Sequence, residues 1–169
     1  MLTKFLNEEY SKVPNLLLCI GGSSGSGKTS LASLLAYQAK GTSWRDFIFA
    51  ADDYFTSEGG RYTFDPTKLP EAHADCERRV TDIVSYGNKI GKEGDLVIVH
   101  NTFTAEGHYL PYKKIAKENG YLFKIVWVGN HHGSKDIHDV PAENVQKQSE
   151  GIRDLIYSLG TRPHERSKV

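Results

Sequence analysis

The feature that most limits what this chain can fold into is the run Gly22-Ser23-Ser24-Gly25-Ser26-Gly27-Lys28-Thr29. It fits G-x-x-x-x-G-K-[ST], the Walker A pattern, at every fixed position. A short apolar run, residues 16–20, stops at Gly21-Gly22 just before it. After it, residues 28–40 carry Leu31, Leu34 and Leu35 at helical spacing, and Gly41 ends the pattern. The motif therefore sits where its chemistry needs it, between a buried strand and a helix. Its glycines let the backbone curl round a phosphate and turn N–H groups inward, and the helix adds its positive end to the same anion. Lys28 is placed to reach β- and γ-phosphates, and the Thr29 hydroxyl to coordinate Mg²⁺. The implied ligand is a nucleoside triphosphate, read as Mg·ATP. A chance Gly/Ser-rich turn is the plain alternative, and the register of strand, loop and helix counts against it.

The rest of the chain repeats the alternation. Residues 47–51 read as a second buried strand, and Gly59-Gly60 as a loop. Residues 69–90 read as a long polar helix with Ala72, Cys76, Val80, Ile83 and Val84 on one side. A third strand is expected at 96–99, a helix at 112–119 closed by Gly120, a fourth strand at 121–128, and a final helix at 142–159 after Pro141. Strands alternating with helices imply a three-layer α/β fold, a parallel sheet with helices on both faces. The 169 residues suit a single domain, 1–169, with an N-terminal extension at 1–12 and a polar, fraying tail at 161–169. Ligands of such sheets sit beyond the carboxyl ends of the strands.

Asp52-Asp53 follows the second strand directly. Phosphoryl transfer to a hydroxyl needs a carboxylate there to accept the proton. Successive residues of an extended segment point opposite ways, so one of the two faces the γ-phosphate. Asp52 is the expected base, and Asp53 caps, orients or meets substrate. The plain alternative is a solvated pair or a cap of the next turn. The third strand ends at His100-Asn101-Thr102, where many phosphate-loop enzymes place an Asp on Mg²⁺. A neutral imidazole suits a hard cation poorly, so His100 either hydrogen-bonds a phosphate or water, or packs. Asn101 and Thr102 are candidates for contact with metal-bound water or substrate, or cap the following turn.

Composition narrows the partners. Acidic and basic residues balance at 21 each, so a protein coated in positive field is excluded and any nucleic-acid contact must be a local patch. Two cysteines, Cys19 and Cys76, make no disulfide framework, and a reducing cytoplasm is expected. The N-terminus, with Lys4, Glu8 and Glu9, does not read as a signal peptide, and no apolar stretch approaches the ~18 residues of a membrane span. His131, His132 and His138, with Asp136 and Asp139, offer zinc ligands, but the spacing matches no defined geometry, and a lid over the phosphates at 129–141 is favoured. His73 and Cys76, at i and i+3, read as packing and surface contact. Arg61, Lys68, Arg78, Arg79 and Lys89 form either a basic rim near the acceptor or helix-surface charges paired with Glu71, Asp75, Glu77 and Asp82. Tyr54, Phe55, Tyr62 and Phe64 either stack on a base or form the small core of an insertion.

Several of these segments form an ordered series: the phosphate loop, Asp52-Asp53-Tyr54, Tyr62-Thr63-Phe64-Asp65-Pro66 with Leu69, Ala72-His73 with Cys76, and Arg78-Arg79. Val97-Ile98-Val99 with Asn101-Thr102, Pro111-Tyr112 with Ala116, Gly120-Tyr121, and His138 with Val140-Pro141 continue it. The series, roughly residues 16–148, resembles the P-loop kinase/ATPase family related to the 5′-kinase domain of phage-type polynucleotide kinase. The resemblance implies an ATP-dependent kinase acting on a hydroxyl of a nucleic acid or nucleotide. Lys28 and Thr29 match its phosphate- and Mg-binding pair, Asp52 its general base, and Asn101 and Thr102 part of its polar cluster. The family's arginine that grips the acceptor phosphate has no match, because Phe55 stands there; Arg61, six places on, is the substitute candidate. His100 stands where the family has an Asp. In the lid, which in the family carries arginines, the candidate cation is Lys135. Two other readings stay open: a kinase acting on a small alcohol, nucleoside or hydroxymethylated DNA base, and a nucleotide-binding ATPase or switch without an acceptor.

Overall fold

The computed structural model describes residues 14–89, 91, 93–129 and 140–161. The N-terminal extension, the lid candidates Lys135, His131, His132 and His138, and most of the expected tail lie outside the described residues.

Both faces of the central strands are apolar, so both must be covered. Strand β1, Leu16–Gly21, pairs in parallel with β3, Leu96–Asn101, on one side and with β4, Leu122–Trp127, on the other; β2, Ile48–Phe49, joins β3 in parallel. The order is β2-β3-β1-β4. Leu18, Ile20 and Ile98 face helix α1, Lys28–Lys40, through Ala32 and Ala36. Leu17, Cys19, Val97 and Val99 face the opposite layer. That layer contains α2, Leu69–Lys89, α3, Leu110–Glu118, and α4, Ala142–Thr161, which contribute Ala72, Cys76, Val80, Val84, Tyr112, Ala116 and Leu155. The result is the expected three-layer α/β arrangement.

Helix positions follow the apolar spacing closely. In α1, however, the buried stripe is carried by Ala32 and Ala36, while Leu34 is 57% exposed. Small residues let the helix lie close against the sheet. The second strand is the larger departure. Only Ile48–Phe49 is extended; a 3-10 segment, Gly41–Phe47, precedes it and a second, Ala51–Phe55, follows. An apolar run does not distinguish a strand from a buried turn, and here Ala50 and Ala51 are buried as parts of a turn. Far from the carboxyl edge, the buried carboxylate of Asp95 is ion-paired with Lys40 and accepts a hydrogen bond from the Tyr121 hydroxyl at 2.8 Å. That pairing fastens α1 to the opposite end of the sheet from the phosphate loop.

Candidate active site

At the carboxyl edge, β1 runs straight into the phosphate loop. Gly25 and Gly27 have φ of 72° and 91°, in the left-handed region that glycine alone enters freely, and Gly27 directly precedes α1. Gly22 is required for a different reason. A Cβ there would lie 2.4 Å from Ser26 Oγ and 2.7 Å from the Val128 carbonyl oxygen. The loop is fastened by Gly22 N–H donating to the Thr102 carbonyl at 3.3 Å and Ser26 N–H to the Ser23 carbonyl at 3.1 Å. Lys28 Nζ donates to the Ser23 carbonyl at 2.8 Å, so the ammonium is folded over the loop. Ser26 Oγ is buried without a hydrogen-bond partner among the described residues. Thr29 is exposed on the first turn of α1. A cradle of backbone donors, an uncommitted buried hydroxyl and an overhanging ammonium fit an anionic phosphate chain, and the Thr29 hydroxyl fits a magnesium ion beside it.

One contact is invisible to motif reading. Ser24 N–H donates to Gln148 Oε1 of α4 at 2.9 Å. A side chain from the last helix thus occupies one of the loop donors. Only the position of α4 relative to the loop reveals it, and nothing in the local sequence marks Gln148.

The acidic pair lies in the 3-10 segment Ala51–Phe55, so the alternation expected of an extended segment does not apply. Tertiary contacts separate the two carboxylates instead. Asp53 Oδ2 accepts from Ala50 N–H at 2.9 Å and from Arg79 Nη1 at 3.0 Å. Arg79 also donates to the Ala50 carbonyl at 2.9 Å and, through Nε, to Asp75 at 2.8 Å. Asp53 is thereby spent on holding its own turn, in keeping with a capping role and against direct contact with substrate. Asp52 is exposed, and among the described residues nothing hydrogen-bonds its carboxylate.

Asn101 and Thr102 stand at the end of β3. Asn101 is buried, and its Oδ1 accepts from Ala51 N–H at 2.9 Å, across 50 residues of sequence. Its first task is therefore to anchor the turn that carries Asp52. Thr102 meets the phosphate loop through its backbone. His100, on β3, feels the charges of Lys28 and of both acidic residues. Burial holds its imidazole below the ordinary histidine range; Lys28 pushes the same way, against Asp53 and Asp52. That direction favours the neutral imidazole. Arg61 is exposed on a tight loop where its N–H donates to Ser57 Oγ at 3.2 Å and its carbonyl accepts from Ser57 N–H at 3.0 Å.

The remaining clusters divide cleanly. Arg78 pairs with Asp75 and Asp82, and Lys68 with Glu71, as helix-surface charges. Arg79 alone reaches the site, and no local signal distinguished it from Arg78. Phe55 is buried at the centre of an aromatic group, with Phe64, Tyr54 and Tyr62 edge-on at 5.1, 5.5 and 6.3 Å. That makes the group a small core, although Tyr54 and Phe64 stay largely exposed. Cys76 is buried while His73 is exposed on the same helix, so they do not converge. Burial pushes both thiols up. Among the described residues no cluster of three or more His, Cys, Asp or Glu could hold a metal. No described helix is long and apolar enough to cross a membrane.

Comparison with known proteins supports the architecture. No family model matches the chain. A chain of the AvrRxo1-ORF1:-ORF2 complex with ATP is 19% identical, with 90% of this chain and 52% of that one covered, at a TM-score of 0.58. A chain of the Pnkp1/Rnl/Hen1 RNA repair complex is 13% identical, with coverage of 89% and 48% and a TM-score of 0.60. The chain thus spans about half the length of these two relatives. The APS kinase CysC of Mycobacterium tuberculosis, as a Cys556Ala mutant, is 15% identical, with 86% of this chain and 99% of that one covered, at a TM-score of 0.42. With its parallel sheet and its loop between β1 and α1, this chain shares its three-layer α/β fold with these two larger chains.

Proposed function

We propose that this protein is a Mg·ATP-dependent phosphotransferase that moves the γ-phosphoryl group to a hydroxyl of a nucleic acid or nucleotide. The observation that carries the reading is the division of labour between the two aspartates. Asp53 is consumed by Arg79 and the Ala50 N–H, whereas Asp52 is left exposed beside a complete phosphate loop. A carboxylate left bare at that edge has the character of a general base.

In the reaction, the acceptor oxygen forms a bond to the γ-phosphorus as the bond between that phosphorus and the bridging oxygen breaks, releasing ADP. The acceptor proton passes to an Asp52 carboxylate oxygen. Lys28 and the loop N–H groups bind the phosphates and offset charge on them. Thr29 would hold magnesium, which when bound would add charge neutralisation at the phosphates. Asn101 and Arg79 keep the Asp52 turn in place, and His100 stands as a neutral hydrogen-bonding group on β3. Lys135 is assigned to the γ-phosphate from its place in the lid sequence. The nucleic-acid acceptor rests on the resemblance to polynucleotide kinase, as does a cytoplasmic location on the two unpaired thiols.

A second reading, an ATPase or switch without an acceptor, is favoured by one observation: near the end of β3 stands His100, where many phosphate-loop enzymes place an acid on magnesium. Purified protein with labelled ATP, offered 5′-hydroxyl oligonucleotides, nucleosides, small alcohols and hydroxymethylated DNA, tests both. Label is expected on the oligonucleotide; phosphate release with no labelled acceptor would overturn the kinase reading.

A further inference from the structure

Helix α4 lays one face on the rest of the molecule. Ile152 and Leu155 are buried on it, and Leu159 packs against the same core. Gln148 stands four residues before Ile152, so it shares that face, and it is half-buried. Gly151 belongs there too. A Cβ on it would lie 3.3 Å from the Thr104 Cβ and 3.5 Å from the Thr104 carbonyl oxygen. Glycine inside a helix costs stability, and here it lets α4 close on the segment that follows β3. Gln148 is the polar member of this face, and it meets the phosphate loop.

The contact falls on one particular peptide. Ser24 N–H donates to Gln148 Oε1 at 2.9 Å. That N–H belongs to the same peptide unit as the Ser23 carbonyl, which accepts from Lys28 Nζ at 2.8 Å and from Ser26 N–H at 3.1 Å. A planar trans peptide points its C=O and N–H in opposite directions. The unit is therefore held from both sides, by the lysine and Ser26 on one and by α4 on the other. Because the partner is a donor, the amide oxygen of Gln148 is the atom that faces it. Gly22 and Gly25 flank the two serines, and Gly25 has φ of 72°. Glycines so placed leave the peptide free to rotate unless something outside the loop restrains it. Hydrogen bonds in series also polarise one another. The acceptor on Ser24 N–H makes the Ser23 carbonyl a stronger partner for the ammonium.

We propose that Gln148 is a positioning residue for Lys28: through the Ser23–Ser24 peptide, α4 sets where the loop ammonium stands. The affinity for the phosphates that Lys28 reaches is then partly a property of the last helix. The inference rests on the nucleotide-binding part of the reading above. It does not depend on Asp52 or on the acceptor.

The test uses the full chain and three variants, each melted to check its fold. Gln148→Leu keeps most of the bulk and loses the acceptor. Gln148→Glu keeps an acceptor oxygen. Ile152→Val loosens the same face of α4 without touching the loop. Two quantities are read: Mg·ATP affinity by isothermal titration, and the ¹³Cε and ¹⁵Nζ resonances of Lys28 without nucleotide. Gln148→Leu is expected to weaken Mg·ATP by about three- to tenfold, the scale of one hydrogen bond, and to move the Lys28 resonances. Gln148→Glu should bring those resonances back towards the parent. Ile152→Val should lower Tm and leave affinity and resonances alone. If Gln148→Leu fails to fold, Gln148→Ala takes its place with the same expectations. Equal losses of affinity in Gln148→Leu and Ile152→Val would reduce Gln148 to a docking contact and overturn the proposal. Lys28 resonances that ignore the loss of the acceptor, or Mg·ATP binding that is unchanged or tighter, overturn it as well. A parent protein that binds no nucleotide would sink the nucleotide reading instead, and the Lys28 resonances would then decide the positioning by themselves.

Discussion

The phosphate loop and the acidic edge facing it are built in opposite ways. The loop comes from eight consecutive residues, Gly22 to Thr29. Two of its fastenings are local, Lys28 to Ser23 and Ser26 to Ser23, and two more, Gly22 to Thr102 and Ser24 to Gln148, tie it to its surroundings. The acidic edge is assembled across the chain: Asp53 to Arg79 over 26 residues, Ala51 to Asn101 over 50. A device of consecutive residues needs less help from its surroundings, whereas an assembled one depends on each helix and strand that delivers a residue. Substitutions in the loop should therefore abolish ligand binding with the fold intact, and substitutions on the edge should mix function with stability.

The largest effect is expected from Lys28→Ala. It removes the only side-chain cation of the loop, and ATP affinity or turnover should be abolished while thermal melting is unchanged. Isothermal titration and calorimetric melting on the same sample check it. Unchanged affinity would break the comparison at its stronger end. Next comes Asp52→Asn, which keeps size and most hydrogen bonding but cannot take a proton. Phosphoryl transfer should drop by ~10²–10⁴-fold with ATP affinity retained. Asp53→Asn should lose much less activity and show its effect in melting. If Asp53→Asn proves to be the inactive variant instead, the assignment of base and brace is reversed. If Asp52→Asn fails to bind Mg·ATP at all, the carboxylate holds the metal, and the ATPase reading gains ground.

The third effect is smaller and falls on stability. Arg79→Ala leaves the Ala50 carbonyl and Asp53 without their guanidinium, and an unsatisfied half-buried partner typically costs about 1–3 kcal/mol. For a domain of this size each kcal/mol moves Tm by roughly 2–4 °C. Arg78→Ala, whose pairs with Asp75 and Asp82 are exposed, should move Tm by far less. Equal shifts for the two arginines would mean that Arg79 is not what holds the Asp52 turn.

The same contrast explains what could be read in advance. Strand–loop–helix, the three-layer arrangement and the long helix Leu69–Lys89 are set by apolar spacing and by glycines at fixed offsets, all short-range signals. β2 is shorter than its apolar run because Phe47, Ala50 and Ala51 are apolar for reasons of burial, not of strand geometry. The alternation that would single out Asp52 does not exist in a 3-10 segment; the distinction between the aspartates comes from Arg79, on another element. Gln148 left no mark, because a glutamine on a helix acquires meaning only from what the fold sets against it.

The smallest effect tests His100, whose imidazole feels charge from both halves. Burial and Lys28 hold its folded pKa below the unfolded value of about 6.5. The sign follows from proton binding. Above about pH 6.5 the imidazole is neutral in both states and pH has no effect through it. As pH falls below that, the unfolded chain takes up the proton first, so stability declines until the folded pKa is reached. Tm should therefore fall as pH is lowered from 7 towards 5, and His100→Asn should flatten part of that slope. His73, also held below the ordinary range, contributes in the same sense, so part of the slope persists. Nucleotide sharpens the test. Phosphates beside Lys28 offset the positive charge that disfavours protonation of His100, so saturating Mg·ATP should shallow the slope of the parent protein and leave the His100→Asn slope nearly alone. A slope that ignores His100→Asn altogether would remove this imidazole from the boundary between loop and acidic edge, and the coupling of the two halves would then rest on Thr102 and Asn101 alone.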